Sequence, residues 1–225
     1  MAMPEQALPR DPVHHPVFSR FYARMSVVAD TRGGFAELRS ELLSGLSGRV
    51  IEIGAGNGLN FARYPRTVCE VVAVEPDRTL RKLAREAAQR CSVPVDVVPG
   101  AAEALPVKSE SFDGAVACLV LCSVRDLRRS LTEIRRVLRP GAELRFLEHG
   151  RAPGRTMSTV QSLLDRSTVW PRLCGGCHTS REPISAIEEA GLVVTRARSL
   201  RVPPQGPALP TSFCELGRAL VPEED

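Results

Sequence analysis

EIGAGNG, residues 52–58, is the stretch of this 225-residue chain on which the fold depends. With Val50 and Ile51 before it, the stretch predicts a short buried strand that ends in a tight glycine turn. Glycines suit this turn because the chain bends sharply into a helix, and because a ligand can approach bare backbone that a Cβ would block. In an open parallel sheet, ligands bind at this end of the first strand. We therefore expect a ligand site at the turn.

Apolar strands and amphipathic helical patterns alternate after the turn, which predicts a parallel sheet covered by helices on both faces. The strands are predicted at 71–75, 94–98, 113–120 and 142–149. The helical pattern before the last of these strands ends at Arg139-Pro140-Gly141. In the less regular last third, helices are expected at about 157–168 and around 184–190, a strand at 192–199, and TSFCELGRA (211–219) as a final edge strand.

The spacing of the glycines argues against a dinucleotide site. A dinucleotide fingerprint would put its third glycine at position 59, which is Leu59, whereas the glycine falls at Gly58. About twenty residues after the turn, Glu75 ends the second strand, where a carboxylate can accept hydrogen bonds from both hydroxyls of an adenosine ribose. These features together indicate a nucleoside-type cofactor.

Motifs from about residue 49 to 149 resemble, in order, those of class I S-adenosylmethionine (SAM)-dependent methyltransferases: EIGAGNG, AVEPD, AAEALPVKSESFD, LVLCSV and EIRRVLRPGAELRFLEH. With the later GCHTSRE, they look like the subgroup that includes alkyl-thiol S-methyltransferases. The resemblance implies a Rossmann-like α/β three-layer sandwich, with a mostly parallel seven-stranded sheet whose last strand is antiparallel. It also implies an enzyme that moves a methyl group from SAM to a small-molecule acceptor, favouring a thiol, and leaves S-adenosylhomocysteine.

The resemblance implies which residues contact SAM. The glycine turn would surround the methionine part and Glu75 would hold the ribose. An Ala-Glu pair would lie near the adenine, although the aspartate that many family members have before this pair is replaced here by Gly100-Ala101. Adenine recognition would then come from backbone groups or Glu103. The implied cofactor residues are Glu52, Gly54, Ala55, Gly56, Gly58, Asn60, Glu75, Pro76, Ala102, Glu103 and Leu119.

Methyl transfer from a sulfonium chiefly needs alignment and a dry pocket, so we expect no metal. His149 is the candidate base or orienter because imidazole titrates near neutral pH, and strand alternation should turn only one of Glu148 and His149 towards the pocket. A purely structural histidine is the alternative. Tyr22 is a second catalytic candidate, on a lid helix within a flexible segment 1–34 that also carries Phe18 and Phe21. The methyltransferase domain would span 35–225.

The stretch CGGCH (174–178) has several readings. It has the spacing of c-type haem attachment, of a redox CxxC and of half a zinc site. Haem is disfavoured by the lack of a signal peptide, zinc by the lack of a second ligand pair nearby in sequence, and redox chemistry by the fold. The remaining reading is a loop that carries Cys177 and His178, a third catalytic candidate, towards the acceptor. Thr179 or Ser180 would cap the next helix, with Thr179 and Glu182 at the spacing of a capping box. Pro183 would lie in the first turn of this helix.

Composition narrows the partners. The net charge of +4 is modest and forms no basic stripe, and an Asn/Asp-Pro-Pro-aromatic motif is missing, so nucleic acid is not expected as a partner. The longest apolar run is about half a membrane span, so we expect a cytoplasmic protein without membrane contact. Seven cysteines, an odd number, fit free thiols. Oxygen or nitrogen acceptors, and a non-catalytic SAM-binding or redox-sensing protein, remain alternatives. The oligomeric state is not predicted.

Overall fold

A computed structural model describes residues 16–223, with side chains from Ser19 onward. Seven strands form one sheet in the order β3-β2-β1-β4-β5-β7-β6. They are β1 (Gly48–Ile53), β2 (Val68–Val74), β3 (Val95–Val98), β4 (Phe112–Cys118), β5 (Leu138–His149), β6 (Val193–Arg201) and β7 (Phe213–Leu220). Strands β1 to β5 pair in parallel, and β7 runs antiparallel to both β5 and β6. The predicted α/β sheet with an antiparallel last strand is therefore confirmed.

Helices cover both faces of the sheet, as the alternation predicts. They are α1 (Pro16–Arg32), α2 (Phe35–Leu43), α3 (Arg78–Ala88), α4 (Leu127–Val137), α5 (Arg155–Arg166), α6 (Val169–Leu173) and α7 (Pro183–Glu189). Successive residues of a strand point to opposite faces, so Ile51 joins one apolar core with Leu131 of α4, and Val50 joins the other with Leu42 of α2. Between residues 16 and 223, no helix combines the length and apolar character needed to cross a bilayer.

The last strand does not lie at the edge of the sheet, so that prediction is wrong. Strand β7 sits between β5 and β6, and its residues Cys214, Leu216 and Ala219 are buried. Strand β6 forms the edge and exposes charged side chains such as Arg196 and Arg198 along most of its length. Charge on an edge strand discourages pairing with another chain, which explains why the more polar strand lies outside.

Strand β4 is shorter than predicted, and this shortening shapes the site. The strand ends at Cys118, and Leu119 adopts a left-handed conformation with φ of 56° instead of extending it. Leu119 still donates its N–H to the carbonyl of Leu147 at 2.7 Å. A left-handed non-glycine residue is uncommon and often marks a functional site. Here it turns the LVLCSV motif out of the sheet and across the end of β5.

Candidate active site

The glycine turn combines left-handed backbone with close packing. Gly54, Gly56 and Gly58 have φ of 63°, 57° and 79°. A Cβ on Gly54 would lie 2.3 Å from Val120 Cγ2, and one on Gly58 would lie 2.8 Å from the Phe61 ring, so neither position has room for a side chain. At Gly56 the nearest atom is a ring carbon of Tyr22 at 3.6 Å. Gly56 thus presents bare backbone towards helix α1, not towards the core.

Glu75 closes the turn from the second strand. Its two carboxylate oxygens accept hydrogen bonds from the backbone N–H groups of Gly56 at 2.7 Å and Asp77 at 2.8 Å. The side chain is buried, and this burial raises the pKa of Glu75 to about 7. Each carboxylate oxygen has a second lone pair, so the group can accept further hydrogen bonds from a ligand at the turn.

A buried polar network supports the turn from beneath. Glu52 accepts hydrogen bonds from Asn60 Nδ2 at 2.9 Å and from the Tyr64 hydroxyl at 2.7 Å. Asn60 in turn accepts one from Arg39 at 2.9 Å. Burial raises the pKa of Glu52 to about 7, although the hydrogen bonds from Tyr64 and Asn60 oppose this effect. The side chains of Glu52 and Asn60 are therefore engaged with protein groups below the turn.

The same network attaches helix α1 to the sheet. Arg39 pairs with Asp30 of α1 at 3.0 Å, and Arg63 pairs with the other oxygen of Asp30 at 2.6 Å. Arg39 also donates to Cys118 Sγ at 3.0 Å, at the end of β4. Sequence reasoning missed this network. A signal existed, because Arg39 falls on the helical face of α2 that Phe35 and Leu42 bury, where a charge requires partners.

Helix α1 lies against the tip of the glycine turn. Asn57 Nδ2 donates to the carbonyl of Ala23 at 3.3 Å, and the Ser26 hydroxyl donates to Asn57 Oδ1 at 3.4 Å. Tyr22 faces the turn, whereas Phe21 is 61% exposed and points away from the core. The side chain of Phe18 lies outside the described residues, as do residues 1–15 of the expected flexible segment.

Tyr22 lies against the glycine turn, where its ring is 3.6 Å from the position that a Cβ on Gly56 would take. Burial raises its pKa, and the positive charge of Arg39 opposes the increase. A ligand that lies on the bare backbone of Gly56 would meet this side chain.

The expected adenine residues lie in a tight turn after β3. Ala102 is buried, and Ala104 donates its N–H to the carbonyl of Ala101 at 3.1 Å. Glu103 Oε1 accepts hydrogen bonds from the backbone N–H groups of Arg125 at 2.8 Å and Asp126 at 3.3 Å, just before α4. The nearby carbonyl of Pro76 accepts a hydrogen bond from Arg81 at 2.8 Å. The structure therefore directs one oxygen of Glu103 towards the start of α4.

Glu148 and His149 end β5 and have different surroundings. Glu148 is buried, and it accepts hydrogen bonds from the backbone N–H groups of Val120 at 2.9 Å and Cys122 at 3.3 Å. His149 is half-buried, and its Nδ1 lies 3.5 Å from Cys177 Sγ. Glu148 thus holds the backbone of the LVLCSV motif, while His149 faces the loop that contains CGGCH.

The loop before α7 differs from the predicted capping box. Thr179 and Ser180 donate their backbone N–H groups to the carboxylate of Asp165 in α5, at 2.9 and 2.8 Å. Helix α7 starts with Pro183 in its first turn, as expected, but Glu182 is its N-cap and no side chain caps it. The capping-box prediction is wrong because Asp165, which is distant in sequence, competes for Thr179.

The residues of the CGGCH stretch have different surroundings in the structure. Cys177 is buried beside Cys122 and His149, and the ligand atoms of these three residues all lie within 4.8 Å of one another. Cys174 is partly exposed and outside this cluster. His178 is also outside it, because its Nδ1 lies 2.7 Å from the carbonyl of Gly176. The sequence disfavours a zinc site because no second ligand pair is near in sequence, yet the fold brings Cys122 and His149 to Cys177 from distant segments.

Comparison with known proteins decides the family. A family model described as a methyltransferase domain matches residues 51–146. The human thiol S-methyltransferase TMT1A is 32% identical over 198 residues, which cover 83% of this chain and 79% of the relative. The mouse thiol S-methyltransferase TMT1B is 34% identical over 177 residues, covering 76% of this chain and 70% of the relative. The chain belongs to the SAM-dependent methyltransferases. Its methyl donor is SAM.

The fold of this methyltransferase agrees with solved structures. A SAM-dependent methyltransferase from Thermotoga maritima matches with a TM-score of 0.66 at 23% identity, covering 91% of this chain and 98% of that one. The turn itself fits such a nucleoside. Gly56 offers bare left-handed backbone, and the buried carboxylate of Glu75 lies 2.7 Å from the Gly56 nitrogen. Bare backbone, which leaves room for a ligand, thus lies next to a carboxylate that can accept hydrogen bonds.

Proposed function

We propose that this methyltransferase transfers the methyl group of SAM to the sulfur of a small, fairly apolar thiol. The observation that carries the proposal is the identity of 32% and 34% with two thiol S-methyltransferases over most of the chain. Family membership also favours an enzyme over a SAM-binding sensor. A thiol is a suitable acceptor because its pKa of about 8.5 leaves part of it as thiolate at neutral pH.

We further propose which residues hold the donor. SAM supplies a methyl group on a positively charged sulfur. The bare backbone of Gly54 and Gly56 would lie along its methionine part, and Glu75 would accept hydrogen bonds from the ribose hydroxyls. Support comes from the position of the Glu75 carboxylate at the turn and from its burial, which strengthens a charge-assisted hydrogen bond. Glu52 and Asn60 would act from beneath, by holding the turn in shape.

The acceptor is proposed to bind beyond the ends of β4 and β5. Tyr22 would cover this space and exclude water, which suits a reaction in which positive charge disappears. Its position supports this role, because its ring lies 3.6 Å from where a Cβ on Gly56 would be. His149 is the better placed of the two histidine candidates, because His178 bonds within its own loop. His149 would orient the acceptor or its sulfur rather than contact SAM.

A matched screen of acceptors tests the proposal. Benzyl mercaptan, benzyl alcohol and benzylamine share one carbon skeleton and differ in the nucleophilic atom. With isotopically labelled SAM, we expect methyl transfer to the thiol with a kcat/KM at least a hundredfold above that for the alcohol and the amine. A higher kcat/KM for the alcohol or the amine would contradict the thiol assignment.

A variant of Glu75 provides the cofactor control. Glu75→Ala should remove charge-assisted hydrogen bonds worth about 1.5–3 kcal/mol, and so weaken SAM binding roughly ten- to a hundredfold in calorimetry. The rate of methyl transfer to benzyl mercaptan should fall because less of the variant is occupied by SAM, and it should recover at a high SAM concentration. If Glu75→Ala binds SAM as tightly as the wild type, the proposed ribose contact is wrong.

A further inference from the structure

Three side chains from separate parts of the chain meet at the acceptor end of the sheet. Cys122 follows β4 in the LVLCSV motif, His149 ends β5, and Cys177 lies in the loop between α6 and α7. Cys122 and Cys177 are 2% and 7% exposed, whereas His149 is only half-buried. The cluster is therefore mostly shielded from water without being sealed.

The spacing of the cluster suits a tetrahedral metal ion. Zinc binds a thiolate at about 2.3 Å and an imidazole nitrogen at about 2.0–2.1 Å, so tetrahedral angles separate sulfur from nitrogen by about 3.6 Å and two sulfurs by about 3.8 Å. Cys177 Sγ and His149 Nδ1 lie 3.5 Å apart, and all three ligand atoms lie within 4.8 Å of one another. Small rotations of the side chains would complete the geometry.

The donor set also selects the class of metal. Two sulfurs and one imidazole nitrogen favour zinc over magnesium or calcium, which prefer oxygen ligands. Structural zinc sites usually have four protein ligands, whereas catalytic sites have three and leave a fourth position for water or substrate. Cys122, His149 and Cys177 are three ligands of the catalytic kind.

The surrounding structure holds the two cysteines in place. His178 donates its backbone N–H to the carbonyl of Cys122 at 2.8 Å, which fastens the Cys177 loop to the LVLCSV segment. Gly176 permits this approach, because its φ is 90° and a Cβ would lie 2.6 Å from the carbonyl oxygen of Ser123. Arg181 donates to the carbonyls of Leu121, in a short contact, and of Val124 at 2.8 Å.

A carboxylate completes the support of the cluster. Glu148 accepts the backbone N–H of Cys122 at 3.3 Å and that of Val120 at 2.9 Å. Val120 in turn packs against Gly54, where a Cβ would lie 2.3 Å from its Cγ2. The cluster is thus connected through two short steps to the glycine turn. Ligands held by such outer contacts are preorganised for their function.

We propose that Cys122, His149 and Cys177 bind one zinc ion, whose open fourth position takes the sulfur of the acceptor. The inference rests on the proposed thiol methylation. On metal binding the two cysteine thiols release their protons, and the acceptor thiol releases a third to solvent as its sulfur coordinates. The bound thiolate then attacks the methyl carbon of SAM. A carbon–sulfur bond forms, the bond to the sulfonium breaks, and its electron pair stays on S-adenosylhomocysteine. The uncharged thioether is a weaker ligand and leaves.

Metal content is the first test and does not depend on activity. The purified full chain, equilibrated with zinc and freed of excess, should contain about one zinc per chain by elemental analysis. Cys122→Ser and Cys177→Ser should retain less than about a tenth of it, because two ligands hold zinc poorly. Cys174→Ser is the matched control, since it removes the other cysteine of the same stretch, and it should retain zinc. Equal loss in Cys174→Ser and Cys177→Ser would overturn the proposed ligand set.

Cobalt gives a test on the wild type that does not need a folded variant. Co²⁺ in place of zinc should produce thiolate-to-metal charge-transfer absorption and the strong visible bands of a tetrahedral site. Visible bands of an octahedral oxygen site, or a wild-type chain that holds less than about a tenth of an equivalent of zinc or cobalt, would overturn the inference.

Activity then separates the inference from the proposed function. After a chelator has removed the metal, the rate of methyl transfer to benzyl mercaptan should fall at least a hundredfold and return when zinc is added. The SAM affinity measured by calorimetry should not change. Full thiol methylation by metal-free enzyme would overturn the zinc role and leave the proposed function intact. A zinc-loaded enzyme that methylates benzyl alcohol but not the thiol would instead contradict the proposed function.

Discussion

Gly56→Ala tests whether the bare backbone of the turn receives the cofactor. The new Cβ would lie 3.6 Å from the Tyr22 ring and 3.9 Å from its hydroxyl, which are ordinary contacts. The φ of 57° costs an alanine about 1–2 kcal/mol, so the fold should persist with slightly lower stability. One extra methyl group in a packed site costs about 1–3 kcal/mol, which predicts a SAM dissociation constant raised roughly five- to 150-fold.

Gly206→Ala is the matched control for this experiment. Gly206 has a φ of 96°, and a Cβ there would meet nothing within 4 Å, so the substitution adds left-handed strain without touching the turn. Both variants should lose comparable stability in thermal unfolding, but only Gly56→Ala should weaken SAM and S-adenosylhomocysteine binding in calorimetry. If folded Gly56→Ala bound SAM with the wild-type dissociation constant, the cofactor would not lie against this backbone.

Three further predictions concern charge and the loops. Lowering the pH from about 8 to about 6 should weaken SAM binding roughly tenfold in calorimetry. The reason is that the pKa of Glu75 is about 7 and its protonated form accepts hydrogen bonds more weakly. A SAM affinity independent of pH would count against the ribose contact. Arg39→Ala should cost about 3–5 kcal/mol in denaturant unfolding by leaving Asp30 buried with one cation fewer, whereas Arg198→Ala, from an exposed pair, should cost less than about 1 kcal/mol. Similar losses in the two variants would contradict this reasoning. Asp165→Ala should cost about 2–3 kcal/mol through lost hydrogen bonds to the loop before α7, and an unchanged unfolding midpoint would refute that.

The parts of the fold that depend on short-range pattern could be predicted from the sequence. The β-branched run before Gly54 and the turn glycines predict β1 and its turn, since strand spacing and glycine conformations are local properties. The place of β7 could not be predicted this way. Its insertion between β5 and β6 depends on its pairing with β5, which lies far before it in the chain, and no local pattern encodes that pairing.

In the candidate site too, the sequence predicts the features that depend on local spacing and not those that depend on distant contacts. Glu75 could be located from its distance to the turn, and its carboxylate does lie at Gly56. Its role towards SAM remains a prediction. The ion pair of Asp30 with Arg39 joins two different helices, and although the spacing of α2 indicates that Arg39 is buried, it does not name the partner. Cys122 and Cys177 lie far apart in the chain, and no local spacing encodes their meeting. Thr179 is a further example, because its local sequence predicts a helix cap, whereas in the structure its N–H donates to the carboxylate of Asp165.

The insertion of β7 has a consequence for biosynthesis. During synthesis β6 leaves the ribosome before β7, yet among residues 16–223 β7 is the only strand that pairs with β6. Until β7 arrives, β5 keeps an open apolar flank and β6 has no sheet to join. Domains generally fold as units, so this domain can complete its sheet only after β7 has left the ribosome. Newly made chains should therefore be most accessible to chaperones and proteases in the interval before β7 pairs with β5 and β6.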